Sequence, residues 1–146
     1  MDLILWRHAE AEDGFEDAKR KLTANGRRQA AKMAEWLLPR LPKHYHVLVS
    51  PSVRTRETAA ALVEKFAVSD EVGVGATPES ILHAAGWPRS AQAVVVVGHQ
   101  PTLGMTAARL LSGRDSEWSL RKGAFVWVAR KGDSVVLRAA LAPELL

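Results

Sequence analysis

Two hydrophobic periods alternate along this chain. Short continuous apolar runs have the length of a strand covered on both faces. Between them lie longer stretches in which apolar residues return every three or four positions, as on a helix with one face inward. Leu3–Trp6, Val47–Val49 and the valines Val94–Val97 are runs of the first kind. Ala30, Met33, Trp36 and Leu37 share one face of a predicted helix that Thr23 caps and that runs to about Leu38, where Pro39 and Pro42 end it. Ala59, Leu62, Val63 and Phe66 share the inward face of a second helix, opened by Pro51 or Ser52 and reaching about Phe66. Thr77 and Pro78 start a short third helix, Glu79–Ala85, and Gly113 stops a fourth over Thr102–Leu111. The stretch from Arg7 to Leu22 lacks a period and reads as a loop, and Glu71–Val74 reads as a weak strand. Ala124–Ala129 and Val135–Leu141 form a closing hairpin around Lys131-Gly132-Asp133. Strands in alternation with helices predict an α/β fold: one domain, residues 1–146, built as a three-layer α/β/α sandwich around a mixed, mainly parallel sheet.

Composition narrows the function classes. A chain of 146 residues with 47% hydrophobic and 25% charged residues can bury an ordinary core. It has no cysteine, which removes disulfides, thiolate metal sites and a cysteine nucleophile. No apolar run approaches the roughly 20 residues that cross a bilayer. The amino terminus places Asp2 before the apolar run and Arg7 after it, the reverse of a signal peptide. A cytoplasmic protein without a membrane partner is expected. The net charge of +4 comes from small basic groups, such as Lys19-Arg20-Lys21 and Arg121-Lys122, with no block long enough for a nucleic-acid tail. The same balance favours an anionic small or protein-borne substrate by steering.

Three polar clusters follow three predicted strands: Arg7-His8, Ser50 to Arg54, and Gly98-His99. In open α/β sheets ligands bind at that edge of the sheet. Taken singly, each of these residues reads as an ordinary capping or solvated group. Together they bring two imidazoles and two guanidiniums to one place with no obvious acidic partner, a cluster costly to hold without an anion. Guanidinium forks match phosphate oxygens, and an imidazole can attack phosphorus.

These residues also carry a resemblance. Arg7-His8-Ala9-Glu10-Ala11 resembles the Arg-His-Gly signature of the histidine phosphatase superfamily, with Ala9 where many members have Gly. Arg20-Lys21-Leu22-Thr23-Ala24-Asn25-Gly26, Ser50-Pro51-Ser52-Val53-Arg54 with Thr58-Ala59, and Gly98-His99-Gln100-Pro101 are similar to its other elements, in family order, over residues 3 to about 111. The first of these is typical of the short, SixA-like phosphohistidine phosphatase branch. The resemblance implies a phosphoglycerate mutase-like fold and a metal-independent phosphatase that needs no cofactor. It implies that His8 attacks phosphorus, that Arg7, Arg54 and His99 are catalytic and bind the phosphoryl oxygens, and that Arg20 adds a further phosphate contact. Larger members carry a proton-donating carboxylate in a segment that is short here, about Glu71 to Gln92. Glu79 is its candidate donor, with His83 beside it, although Glu79 equally suits the first turn of a helix. Glu10, Glu12 and Asp13 could also reach the pocket. The favoured substrate is phosphohistidine on a signalling or phosphotransfer protein. The rivals are small phosphomonoesters, or a phosphoprotein-binding domain with little turnover. No metal site is expected, because His44, His46 and His83 lie outside these elements.

Overall fold

The computed structural model describes all residues from Met1 to Leu146. One six-stranded sheet organises them, in the order β3-β2-β4-β1-β5-β6. The strands are β1 (Asp2–Arg7), β2 (Tyr45–Val49), β3 (Ala67–Val68), β4 (Ala93–Gly98), β5 (Phe125–Lys131) and β6 (Ser134–Leu141). β3, β2, β4 and β1 run parallel, while β5 and β6 add an antiparallel hairpin beside β1. The mixed, mainly parallel sheet is therefore as expected.

Strand alternation separates two cores. Ile4, Trp6, Val47, Val49, Val95 and Val97 face helices α1 (Ala24–Leu37) and α2 (Val53–Ala60). Leu3, Leu5, Leu48, Val94 and Val96 face the other way, toward α3 (Pro78–Ala85) and α4 (Thr102–Ser112). β1 and β4 are thus apolar at successive positions because both sheet faces are covered.

The helix starts follow local chemistry. Thr23 accepts from the Gly26 amide to cap α1, and Thr77 and Ser80 form a reciprocal capping box on α3. Gly113 takes the left-handed conformation that ends α4. Two expectations are corrected. α2 stops at Ala60 rather than near Phe66, though Leu62, Val63 and Phe66 still pack on the same core. Apolar spacing therefore reported burial there beyond the point where the helix ends. The third strand is Ala67–Val68, and the stretch expected to be a strand at residues 71–74 begins in a 3-10 turn, Asp70–Val72. Asp70 and Glu71 sit in that turn's first residues, where carboxylates suit a helical amino terminus better than a strand. No helix is long and apolar enough to cross a membrane.

Candidate active site

β1, β2 and β4 are parallel neighbours, so their carboxyl ends lie together at one edge of the sheet. The residues just beyond those ends are Arg7-His8, Ser50 to Arg54, and His99. The topology thus turns three distant stretches of sequence into one place.

His8 turns off β1 with its amide bound to the Gly98 carbonyl at the end of β4, 3.0 Å away. Its buried ring places Nδ1 2.7 Å from the carbonyl of Ala9. A carbonyl only accepts, so Nδ1 carries the proton and the lone pair lies on Nε2, which makes no hydrogen bond within the chain. Burial pushes the His8 pKa down to about 3; the Ala9 carbonyl pulls it upward, while His99, Arg54 and Arg7 push it further down. At neutral pH the ring is an uncharged imidazole with a free nucleophilic nitrogen. Ala9 needs no glycine geometry, since no residue other than glycine has a positive φ. Its methyl group is buried against Leu22 and Ala30.

Arg54 stands in the first turn of α2 and is almost wholly buried. His99 follows β4, with its ring centroid 5.4 Å from that of His8. Burial first, then the Arg54 charge, holds the His99 pKa down to about 4; Asp17 opposes this and Arg7 adds to it. Arg7 donates through Nη1 to the Leu120 carbonyl at 2.7 Å. The Nε groups of both Arg7 and Arg54 are buried and have no partner. Buried unpaired donors on cations are expensive, and such exceptions call for an explanation. Guanidiniums gathered beside two imidazoles suit a tetrahedral oxyanion, whose oxygens match their donor forks.

The structure thus brings His8, Arg7, Arg54 and His99 together, and it separates two other sequence candidates from them. Arg20 lies at the rim. Its Nε donates to the Glu12 carbonyl at 2.7 Å and its Nη1 to Asp17 Oδ1 at 3.1 Å, so it reaches the buried cluster only through Asp17. Glu79 belongs to another surface. Its carboxylate is paired with Arg109 of α4, is fully exposed, and is held below the ordinary carboxylate range chiefly by that hydrogen bond. An ionised, solvated carboxylate committed to a guanidinium is no proton donor for this pocket. His83 is likewise exposed and bound to Glu71. The Glu10 carboxylate accepts from the hydroxyl of Thr23, the residue that caps α1, at 2.8 Å. A cavity of about 440 Å³ opens beside Arg7, between Glu10, Gln29, Leu120 and Lys122.

Two residues of the sequence elements, Ser50 and Thr58, have supporting roles that the sequence alone does not assign. Ser50 Oγ lies 2.8 Å from His99 Nε2 and fixes that ring. Arg54 Nη2, which can only donate, lies 3.4 Å from His99 Nδ1, so Nδ1 accepts and the proton on Nε2 is donated to Ser50 Oγ. Thr58 accepts from the Ala9 amide and donates to the Arg54 carbonyl, which ties the backbone after the nucleophile to α2. A hydroxyl spaced four residues from Arg54 on a predicted helix was the available signal.

Comparison with known proteins agrees with this geometry. Residues 3–73 match the model of the histidine phosphatase superfamily, branch 1. An uncharacterised protein of Picosynechococcus sp. is 33% identical over 125 residues, covering 78% of this chain and 75% of that one. The phosphohistidine phosphatase SixA of Escherichia coli K12 is 28% identical over 126 residues, covering 77% and 76%. Among solved structures, a protein assigned as a phosphohistidine phosphatase SixA, from Nakamurella multipartitia, superposes with a TM-score of 0.82 at 28% identity, over 97% of this chain and 95% of that one. Sequence, fold and comparison converge, and the chain belongs to the histidine phosphatase superfamily, in the part of it similar to SixA.

Proposed function

We propose that this phosphatase works through a phosphohistidine formed on His8, and that its favoured substrate is phosphohistidine carried on a protein. One observation carries the reading: two uncharged imidazoles share a pocket with the buried Arg54 and the half-buried Arg7, and both arginine Nε donors lack partners. Phosphoryl transfer is mostly positioning and electrostatic stabilisation, and this pocket offers both. The lone pair on His8 Nε2 attacks phosphorus, and the bond from phosphorus to the substrate nitrogen breaks. The departing imidazole keeps the proton on its other nitrogen and leaves neutral. Water then attacks the phosphoryl group on His8, the P–Nε2 bond breaks, and phosphate departs with the proton lost by water.

The choice of substrate follows from the carboxylates. Glu79 pairs with Arg109, and Glu10 accepts from Thr23. Asp17 is held ionised by hydrogen bonds from Arg20 and Arg54. None of these is a proton reservoir for an alkoxide leaving group, a contribution typically of about 10²–10⁴-fold. Imidazole is a much weaker base than an alkoxide, so phosphohistidine makes the smaller demand.

Turnover of a phosphohistidine protein, measured beside phosphoserine peptides and sugar phosphates, tests the reading. The protein substrate should be preferred, and brief incubation with labelled substrate should leave an acid-labile, base-stable phosphoryl group that disappears in His8→Ala. A better turnover of a small phosphoester would transfer the function to that class. Label persisting in His8→Ala would refute the mechanism.

A further inference from the structure

The loop between β1 and α1 contains one short 3-10 turn, Asp17–Lys19, and the first residue of that turn sits on Arg54. Its backbone carbonyl accepts from Arg54 Nη1 at 2.8 Å, and its Oδ2 accepts from Nη2 at 3.0 Å. The other carboxylate oxygen, Oδ1, accepts from Arg20 Nη1 at 3.1 Å. One residue therefore occupies both Nη groups of the buried arginine and joins it to the arginine at the rim. Each Nη keeps a second N–H, with Nη2 also 3.4 Å from His99 Nδ1, and the buried Nε–H has no partner. Asp17 itself is more than half exposed, with 57% of its side chain open to solvent.

We propose that Asp17 is a positioning residue of the phosphoryl pocket: it fixes the guanidinium plane of Arg54, and with it the remaining N–H donors of that side chain beside His99, and it is the counter-charge of the buried arginine. This rests on the reading of the pocket as a phosphoryl site. A guanidinium is planar, so holding both Nη atoms through Asp17 determines where its remaining N–H groups point. A buried arginine next to two neutral imidazoles also needs a counter-charge, and Asp17 is the carboxylate paired with it. The charged and polar groups around His99 are Arg54, Arg7, Asp17, His8 and Ser50. Of these, Asp17 alone pulls the His99 pKa upward, and it is not among the groups that shift His8.

The test compares Asp17→Asn, Asp17→Glu and wild type in three measurements: steady-state kinetics with the preferred phosphorylated substrate, binding of orthovanadate, and NMR titration of the histidine rings. Misplacement of a catalytic group by about 1 Å can cost about 10²-fold, and Asp17→Asn should lose activity on that order, mostly in kcat. It should bind vanadate more weakly, and its His99 resonance should titrate at lower pH while that of His8 stays in place. Asp17→Glu should recover a substantial part of the activity and return the His99 titration toward wild type. If Asp17→Asn binds vanadate more tightly and turns over faster, Asp17 competes with the phosphoryl group and the proposal is overturned. Unchanged kinetics, or His8 and His99 shifting together, would also overturn it. Failure of the phosphoryl-site reading itself is separate, and would show as wild type that neither binds vanadate nor turns over any phosphorylated substrate.

Discussion

Arg54 and Arg109 are both helix-borne arginines that contact acidic side chains, and they could hardly be placed more differently. Arg109 is about one-third exposed and donates to Glu79 on one side and Asp115 on the other. The guanidinium there has a carboxylate on each side, and all three groups are wet and screened, the setting in which ion pairs contribute little. Arg54 is buried, shares its pocket with a second guanidinium and two imidazoles, and keeps one donor without a partner. The first cluster is complete in the sense that its arginine has its partners without a ligand. The second is complete only when an anion enters. Glu79 suited the role of proton donor by its place in the sequence, and in this structure its carboxylate is paired with Arg109 instead.

The largest expected effect tests the incomplete cluster. Arg54→Met should lower kcat/KM by about 10²–10³-fold, as for loss of one preorganised donor to developing charge. Its melting temperature should change little, because removing a buried cation beside Arg7 offsets the loss of its two hydrogen bonds to the solvent-exposed Asp17. A loss of both activity and stability would mean that Arg54 is held chiefly for structure, and the contrast with Arg109 would collapse.

The next effect lies under the nucleophile rather than in either cluster. A Cβ on Gly26 would stand 2.0 Å from the Glu10 carbonyl oxygen and 2.9 Å from its carbonyl carbon. α1 therefore approaches the backbone just past His8 as closely as only glycine allows. Backbone on both sides leaves little room to relax, so Gly26→Ala should destabilise by at least the ~1–3 kcal/mol typical of overpacking. A urea denaturation midpoint measures this. A midpoint equal to wild type would mean that the loop carrying Glu10 moves freely, and that His8 is less firmly held than its hydrogen bonds imply.

How much of this was legible in the sequence depended on the range of the forces involved. Continuous valines in β4 and the period of α1 report local burial, and both elements stand where they were expected. The meeting of Arg7, His8, Arg54 and His99 was legible too, because parallel strands must bring their carboxyl ends together. The early end of α2 was not, since Leu62 and Phe66 are as apolar in a turn as in a helix. The tight seat of Gly26 against Glu10 and the grip of Asp17 on Arg54 depend on the path of a loop without period. Nothing in residues 7 to 22 betrays that path. The carboxylate that matters most to the pocket thus lay in the stretch that pattern reading describes least, while Glu79 lay in a helix that it described well.

Titration separates the two clusters again. His8 and His99 are held neutral, with pKa values moved from 6.5 to about 3 and about 4. Between those values and 6.5 the unfolded chain binds more protons than the folded one, so stability rises with pH through this window and levels off above it. Falling pH should therefore lower the melting temperature from about pH 6.5 downward, before the ion-paired carboxylates begin to titrate. Glu79 acts later: its lowered pKa places its contribution above the ordinary 4.5, to be lost only as pH falls below that value. Melting temperatures from pH 8 to 4 should show the earlier slope in wild type and a flatter one in a His8→Asn, His99→Asn double variant. An unchanged slope in the double variant would place the pH-sensitive groups elsewhere.

The smallest effect is expected at Glu79 itself. Its carboxylate is fully exposed and touches Arg109, and none of the four pocket residues is among its partners. Removing its charge leaves Arg109 still bound to Asp115 through Nε and Nη2, at 3.1 and 3.0 Å. The arginine therefore keeps a partner, and solvent replaces the lost one at little expense. Glu79→Gln should leave kcat/KM for a phosphohistidine protein within about two-fold of wild type, with a melting temperature close to it, as for an ordinary surface substitution. The same variant is informative on phosphoserine peptides. If their turnover is slow but likewise unchanged, the pocket lacks a dedicated carboxylic acid for esters, and leaving-group basicity sets the preference. A collapse of ester turnover in Glu79→Gln would instead mean that α3 swings its carboxylate from Arg109 to the bound substrate. The complete cluster would then be a resting state of the incomplete one, and the contrast between Arg109 and Arg54 would be one of time rather than place.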